Sequence, residues 1–279
     1  MIFELFSYPF MRMALLTGGM VALCASLLGV PLVLKRYSMI GDGLSHVGFG
    51  TLSVAMAINF FFHSAGFDFA INPLLISVPI VIIAAFLLLK ISERSKIKGD
   101  AAIALISSCA LAAGIIVTSL SSGMNLDVYG FMFGSIVTIS EPDMWICVCL
   151  SAVILVLYVL FYNHIFAAAF DDGFMKAAGS KIPAKTLIAM LTAITIVVGM
   201  RIMGTLLISS LIIFPGVTSM RVFKSFKRVV VCSGIVSVVC FAAGLAVSGL
   251  LSLPVGAAVV AVNAVVFFGF SAAGAAMKL

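Results

Sequence analysis

The sequence predicts an all-α protein, a polytopic transmembrane helical bundle of about nine spans, with the N-terminus outside and the C-terminus cytoplasmic. Three observations predict it. Hydrophobic residues make up 63% of the chain and charged residues only 9%, with a mean hydropathy of +1.31; soluble domains carry about 25% charged residues. The apolar residues gather into runs of spanning length, which must be helical because hydrocarbon offers no water to satisfy backbone groups. Lysine and arginine collect in alternate links between those runs, as the positive-inside rule requires.

In chain order the first four spans are read at residues 13–34, 40–62, 74–89 and 101–120. Further runs follow at 144–162, 186–200, 202–220, 229–250 and 255–277. The first run exceeds the length of a signal-peptide core, lacks a small-residue cleavage site and follows an acidic start, so a cleaved signal peptide is not expected. The sixth and seventh runs are short and separated only by Arg201, so they can form a tilted hairpin or a re-entrant pair; eight or ten spans are the alternatives to nine. Lys35 and Arg36, then Lys90, Arg94, Lys96 and Lys98, then Lys176, Lys181 and Lys185, then Arg221, Lys224, Lys227 and Arg228, and finally Lys278 all fall on one side of a nine-span chain. Only Arg12 and Arg201 fall opposite. Residues 1–279 are therefore read as a single transmembrane domain with no room for a soluble one.

Two links are long enough to carry structure. Asn125 to Ser140, with Gly130 and Gly134 ahead of Glu141-Pro142, is too short and polar to span and predicts an amphipathic or re-entrant piece on the outer side. Within the cytoplasmic link near 163–185, Phe170 to Gly179 has an acidic start, a short helical pattern and a glycine stop, which predicts a small surface helix. A chain this apolar offers almost no other cytoplasmic surface, so this helix is the expected dock for a partner protein.

Several function classes are excluded or disfavoured by pattern. The net charge of +6 is scattered in short groups without aromatic interleaving, so no nucleic-acid partner is expected. The six cysteines, Cys24, Cys109, Cys147, Cys149, Cys232 and Cys240, lie in apolar runs and are read as small buried hydrophobes. No GxxxxGK[ST] loop, Gly-x-Ser-x-Gly elbow or His-Glu-x-x-His helix occurs, so the chain is not expected to be an enzyme, and any ATP hydrolysis must come from another chain.

The polar cluster Met39-Ile40-Gly41-Asp42-Gly43-Leu44-Ser45-His46 interrupts the second run. Ionisable residues in a membrane span mark ion paths, because a lone charge there costs roughly 2.5 to 3.5 kcal/mol on insertion scales. Asp42, Ser45 and His46 stand at i, i+3 and i+4 and share a helix face. A carboxylate and an imidazole at that spacing can approach one divalent ion and suit zinc or manganese, the histidine favouring zinc. Two ligands do not close a site, and a homodimer two-fold would supply the other pair. Spacing alone leaves open that Asp42 caps the helix and His46 bonds a neighbour. The nearby glycines Gly41, Gly43, Gly48 and Gly50 suit close helix approach. His63 and His164 are read as interfacial, Asp100 as a helix-start charge, and Asn263 as an interhelical bond or a pore group.

Residues 39–50, Met-Ile-Gly-Asp-Gly-Leu-Ser-His-Val-Gly-Phe-Gly, resemble the second-helix motif of the metal-ion ABC transporter permeases, the zinc and manganese uptake group. Phe131 to Ile136 is similar to that family's outer "FGS" segment, Phe170 to Gly179 to its ATPase-contacting loop, Ile202 to Gly216 to its "vGxLLvsaLLixP" stretch, and Leu253 to Ala257 to the opening of its final helix. The coupling loop departs from the family at Asp172, Gly173 and Met175, while Asp171, Phe174, Lys176 and Gly179 fit. The resemblance implies a homodimeric, multi-pass permease of the bacterial plasma (inner) membrane. Its implied partners are a cytoplasmic ABC ATPase and an extracytoplasmic metal-binding protein. It also implies that Asp42 and His46 line the cation path, with Ser45 lining the pore beside them. Asp171, Phe174, Lys176 and Gly179 would contact the ATPase, and the only metal would be the transported ion. The rivals are an iron-siderophore or vitamin B12 permease, an ATP-independent cation carrier and a membrane scaffold. A narrow, ligand-bearing helix disfavours a bulky chelate, and an ATP-independent carrier would bury several ionisable groups along a relay.

Overall fold

The computed structural model describes residues 9–35, 37, 39–66, 73–94, 99–120, 134, 141–170 and 184–276. Among these residues the chain forms ten α-helices: α1 Pro9–Leu34, α2 Met39–Ser64, α3 Pro73–Arg94, α4 Gly99–Leu120, α5 Glu141–Leu160, α6 Tyr162–Phe170, α7 Ala184–Met203, α8 Thr205–Met220, α9 Phe226–Leu251 and α10 Val255–Ala276. Among the described residues, each of the nine apolar runs falls in one helix or across two consecutive helices. By length and composition α1, α2, α4, α9 and α10 can each cross a membrane, and α5 with α6 makes a sixth crossing if that bent pair is one span. The other apolar stretches, Leu75–Leu87, Thr186–Met200 and Thr205–Met220, are shorter. The chain is thus a polytopic helical bundle.

Two boundaries differ from the sequence reading. The sixth and seventh runs do not part at Arg201, which continues α7; they part at Gly204, whose φ of 83° is a left-handed conformation that glycine adopts without a Cβ clash. A charge does not break a helix, whereas this backbone turn does. The fifth run, read to residue 162, also ends earlier, at Leu160. The chain bends by 68° at Phe161 and continues as α6, burying Ile165, Ala168 and Ala169. Tyr162, Phe166 and Phe170 of α6 surround Phe226 of α9 with ring centroids 5.8, 5.1 and 6.0 Å away, which anchors the root of the link that follows.

The bundle is organised around α1, which packs on α5, α7, α8 and α9. Lipid tails are as apolar as leucine, so helices associate through close packing and interhelical hydrogen bonds. Both occur here. Ser233 and Ser237 of α9 donate to the carbonyls of Ser26 (3.3 Å) and Ala22 (2.8 Å) of α1, an antiparallel pair of contacts one turn apart on each helix. Along the same face of α1, three residues beyond Ser26, Gly29 lies against the carbonyl of Ile212 in α8, where a Cβ would fall on the oxygen.

Candidate functional site

Helix α2 is wedged between neighbours by its glycines. Gly41 receives the side chain of Ile212 from α8, Gly43 that of Ile103 from α4 and Gly48 the sulfur of Met200 from α7, while Gly50 meets the backbone of Ala110 in α4. One stripe of the first two turns stays open. Met39 and Asp42 are 48% and 53% exposed, and His46 is 23% exposed. The stripe closes one turn later at Phe49, 2% exposed.

On that stripe Asp42 Oδ2 stands 3.8 Å from His46 Nε2. This is too long for a hydrogen bond. It is within the span of two ligand bonds of about 2.0 to 2.2 Å to one ion between the two atoms. Asp42 is the fourth residue of α2, inside the first turn, so it is not the N-cap residue. Its charge still opposes the positive end of the helix dipole favourably. Among the described residues no group of three or more His, Cys, Asp or Glu side chains comes together, so the pair is an incomplete ligand set within one chain.

Ser45 is placed differently from its two companions. It is fully buried, donates to Gly41 O at 2.7 Å, and its hydroxyl lies 3.3 Å from that of Ser209 in α8. Ser209 in turn reaches Thr205 O at 2.8 Å. Each hydroxyl has one hydrogen, so two hydrogens serve three contacts and the bond between α2 and α8 competes with the bonds inside each helix. Ser209 was not singled out by the sequence; it lies in a run of apolar and small residues where nothing marks its partner. Ser209→Ala is expected to destabilise the detergent-solubilised protein by only about 0.6 kcal/mol. Ser45→Ala should add less in the double variant than it costs alone, read as a non-additive shift in thermal unfolding.

The remaining candidates scatter. His63 is exposed at the end of α2, and His164 of α6 lies edge-on to Phe161 with ring centroids 5.8 Å apart. Asn263 is buried but donates to Val259 O of its own helix, and its Oδ1 has no partner, so it makes no interhelical bond among the described residues. Cys24 and Cys147 are buried and reach backbone carbonyls, while Cys109 and Cys149 are exposed; all six cysteines are free. Asp171, Phe174, Lys176 and Gly179 lie outside the described residues, as does the 125–140 segment apart from Gly134. That glycine, at φ 80°, packs against the carbonyl of Met203.

The profile of the ABC 3 transport family matches residues 7–274. The manganese transport system membrane protein MntC of Listeria monocytogenes is 27% identical over 268 residues, covering 95% of this chain and 90% of that protein. The manganese import system permease protein ScaB of Streptococcus gordonii is 27% identical over 266 residues, covering 94% and 91%. Among solved structures, PsaBC from Streptococcus pneumoniae in complex with Fab superposes with a TM-score of 0.81 at 26% identity, covering 97% of this chain and 95% of that one.

Proposed function

Because the chain belongs to the ABC 3 transport family, we propose that it is the membrane-spanning permease subunit of an ATP-driven importer of a divalent transition-metal ion, and that the ion is manganese. The observation that carries the reading is the open stripe of α2, where a carboxylate and an imidazole stand 3.8 Å apart on a helix otherwise enclosed by its neighbours. A carboxylate suits a hard cation such as Mn²⁺ as well as zinc. The two relatives named for manganese support that ion among those the ligand types leave equal.

In this reading two copies meet at a two-fold axis, so that Asp42 and His46 of each complete a four-donor site. An extracytoplasmic binding protein delivers the ion, and the donors replace part of its hydration shell. Their incomplete, mixed shell is weak enough to let the ion leave again. A separate cytoplasmic ATPase binds the link around Asp171, Phe174, Lys176 and Gly179. Its closure on ATP moves that link and rocks the bundle between access states. Ser45, behind the pair, joins the lining of the path when α2 and α8 part. Nine spans with the C-terminus cytoplasmic place this link and the basic links on the ATPase side, in a bacterial plasma membrane.

The test is accumulation of Mn²⁺, Zn²⁺ and Fe²⁺ in cells expressing this chain with its ATPase and binding protein. Selective manganese accumulation that stops when the ATPase is inactivated supports the reading. Accumulation of a siderophore or cobalamin in place of free ions contradicts it, and so does metal uptake that persists without the ATPase.

A further inference from the structure

An apolar groove of about 490 Å³ runs along the outer side of the α1–α9 seam, between Leu23 and Leu27 of α1 and Val231, Gly234, Ile235 and Val238 of α9. Gly234 forms its floor; a Cβ there would meet the tip of Leu23 at 2.9 Å. The serines that tie the two helices together, Ser233 and Ser237, face inward and leave the groove lined by hydrocarbon. Ile235 and Val239 stand open at 60% and 59% exposure. This face is separate from the open stripe of α2, which packs on α3, α4, α7 and α8.

One end of the groove is strongly basic. Lys227 and Arg228 lie one turn before Val231 on α9, both exposed, in the same stripe as Val231, Ile235 and Val238. Neither has an ion-pair partner among the described residues. Lys224 is exposed just ahead of them. The chain has no acidic residue beyond Asp172, so α9 and the Arg221–Ser225 link carry no internal counter-charge. The backbone N–H groups of the first turn add to the positive potential, since Ser225 makes no side-chain cap there.

From this juxtaposition of an acyl-sized apolar groove with an unpaired cationic end, we propose that the α1–α9 seam binds one anionic phospholipid. Its phosphate lies on Lys227 and Arg228, and one acyl chain lies over Gly234 between Leu23 and Val238. Charge complementarity selects the occupant: a zwitterionic lipid would bring its own cation beside its phosphate, and a second copy of this basic, apolar face would leave both cations without a partner. Basic clusters at the membrane surface attract anionic headgroups by an amount that corresponds to roughly fivefold in affinity per charge. The proposal rests on the chain lying in a bilayer and is independent of which ion it carries.

Native mass spectrometry of the purified full-length chain, titrated with phosphatidylglycerol or phosphatidylcholine, tests it. The expected result is one retained phosphatidylglycerol that outcompetes phosphatidylcholine. Lys227→Gln with Arg228→Gln should weaken it about twentyfold to thirtyfold, and Ile235→Trp, which fills the groove from its exposed side, should expel it without touching the charges. Equal binding of the two lipids overturns the proposal, as does phosphatidylglycerol binding that survives Ile235→Trp. An Ile235→Cys variant in phosphatidylglycerol vesicles should cross-link between copies no more than the parent chain with its native cysteines does; efficient additional cross-linking would assign this face to a second copy and overturn the proposal as well.

Discussion

Replacing Asp42 and His46 together by alanine is expected to reduce metal accumulation to background while leaving the protein folded and assembled. Altering groups that merely support metal ligands costs about 10- to 100-fold in metal affinity, so removing two direct donors from each copy should cost more than that. The pair sits on the open stripe of α2, Asp42 is 53% exposed and His46 23%, so truncating both leaves no buried charge behind. Folding and transport should therefore separate cleanly. Asp42→Asn and His46→Gln keep side-chain size while weakening the donors, and each should retain partial transport with a raised half-saturating ion concentration. Uptake by the double variant at the wild-type rate would remove the α2 stripe from the ion path.

A second large effect is expected at Gly29. A Cβ at this position would fall on the carbonyl oxygen of Ile212, and a backbone atom of a packed helix cannot rotate aside as a side-chain tip can. Overpacking a core costs typically 1 to 3 kcal/mol, and Gly29→Ala should lie near about 3 kcal/mol. The same Ile212 rests its side chain on Gly41 of α2, so pushing α8 away from α1 also disturbs the turn that carries Asp42. Gly29→Ala is thus expected to lower both thermal stability and uptake. Gly19, ten residues earlier on the same helix, has no neighbour within 4 Å of its would-be Cβ. Gly19→Ala should be neutral, or stabilising by up to about 1 kcal/mol through helix propensity. Equal unfolding temperatures for the two variants would show that α1 and α8 do not approach as closely as described.

These two glycines also show how far the sequence can be read. Both sit in an apolar run of small residues, and nothing local distinguishes the one that meets a backbone from the one that meets open space. That difference belongs to a partner nearly two hundred positions away. The helices themselves were legible because hydrocarbon allows an isolated apolar run little other than helix, and each of the nine runs falls, among the described residues, in one helix or across two consecutive ones. Their ends were less legible where the signal is conformational: the turn at Gly204 and the bend at Phe161 depend on backbone angles that hydropathy does not record. The pairing of Asp42 with His46 was legible because a four-residue spacing is a local geometric fact. The separation of Ser45 from them was not, since the burial of its hydroxyl follows from the position of α8 and Ser209.

The central claim, that this chain passes a divalent metal ion across a membrane under the drive of a partner ATPase, is tested most directly in proteoliposomes. These would hold the chain with its ATPase, with the binding protein and Mn²⁺ on one face and ATP on the other. The account predicts manganese accumulation that requires ATP and disappears in the Asp42→Ala, His46→Ala variant. Accumulation that proceeds equally without ATP, or no accumulation of manganese by an assembled complex that hydrolyses ATP, would contradict it.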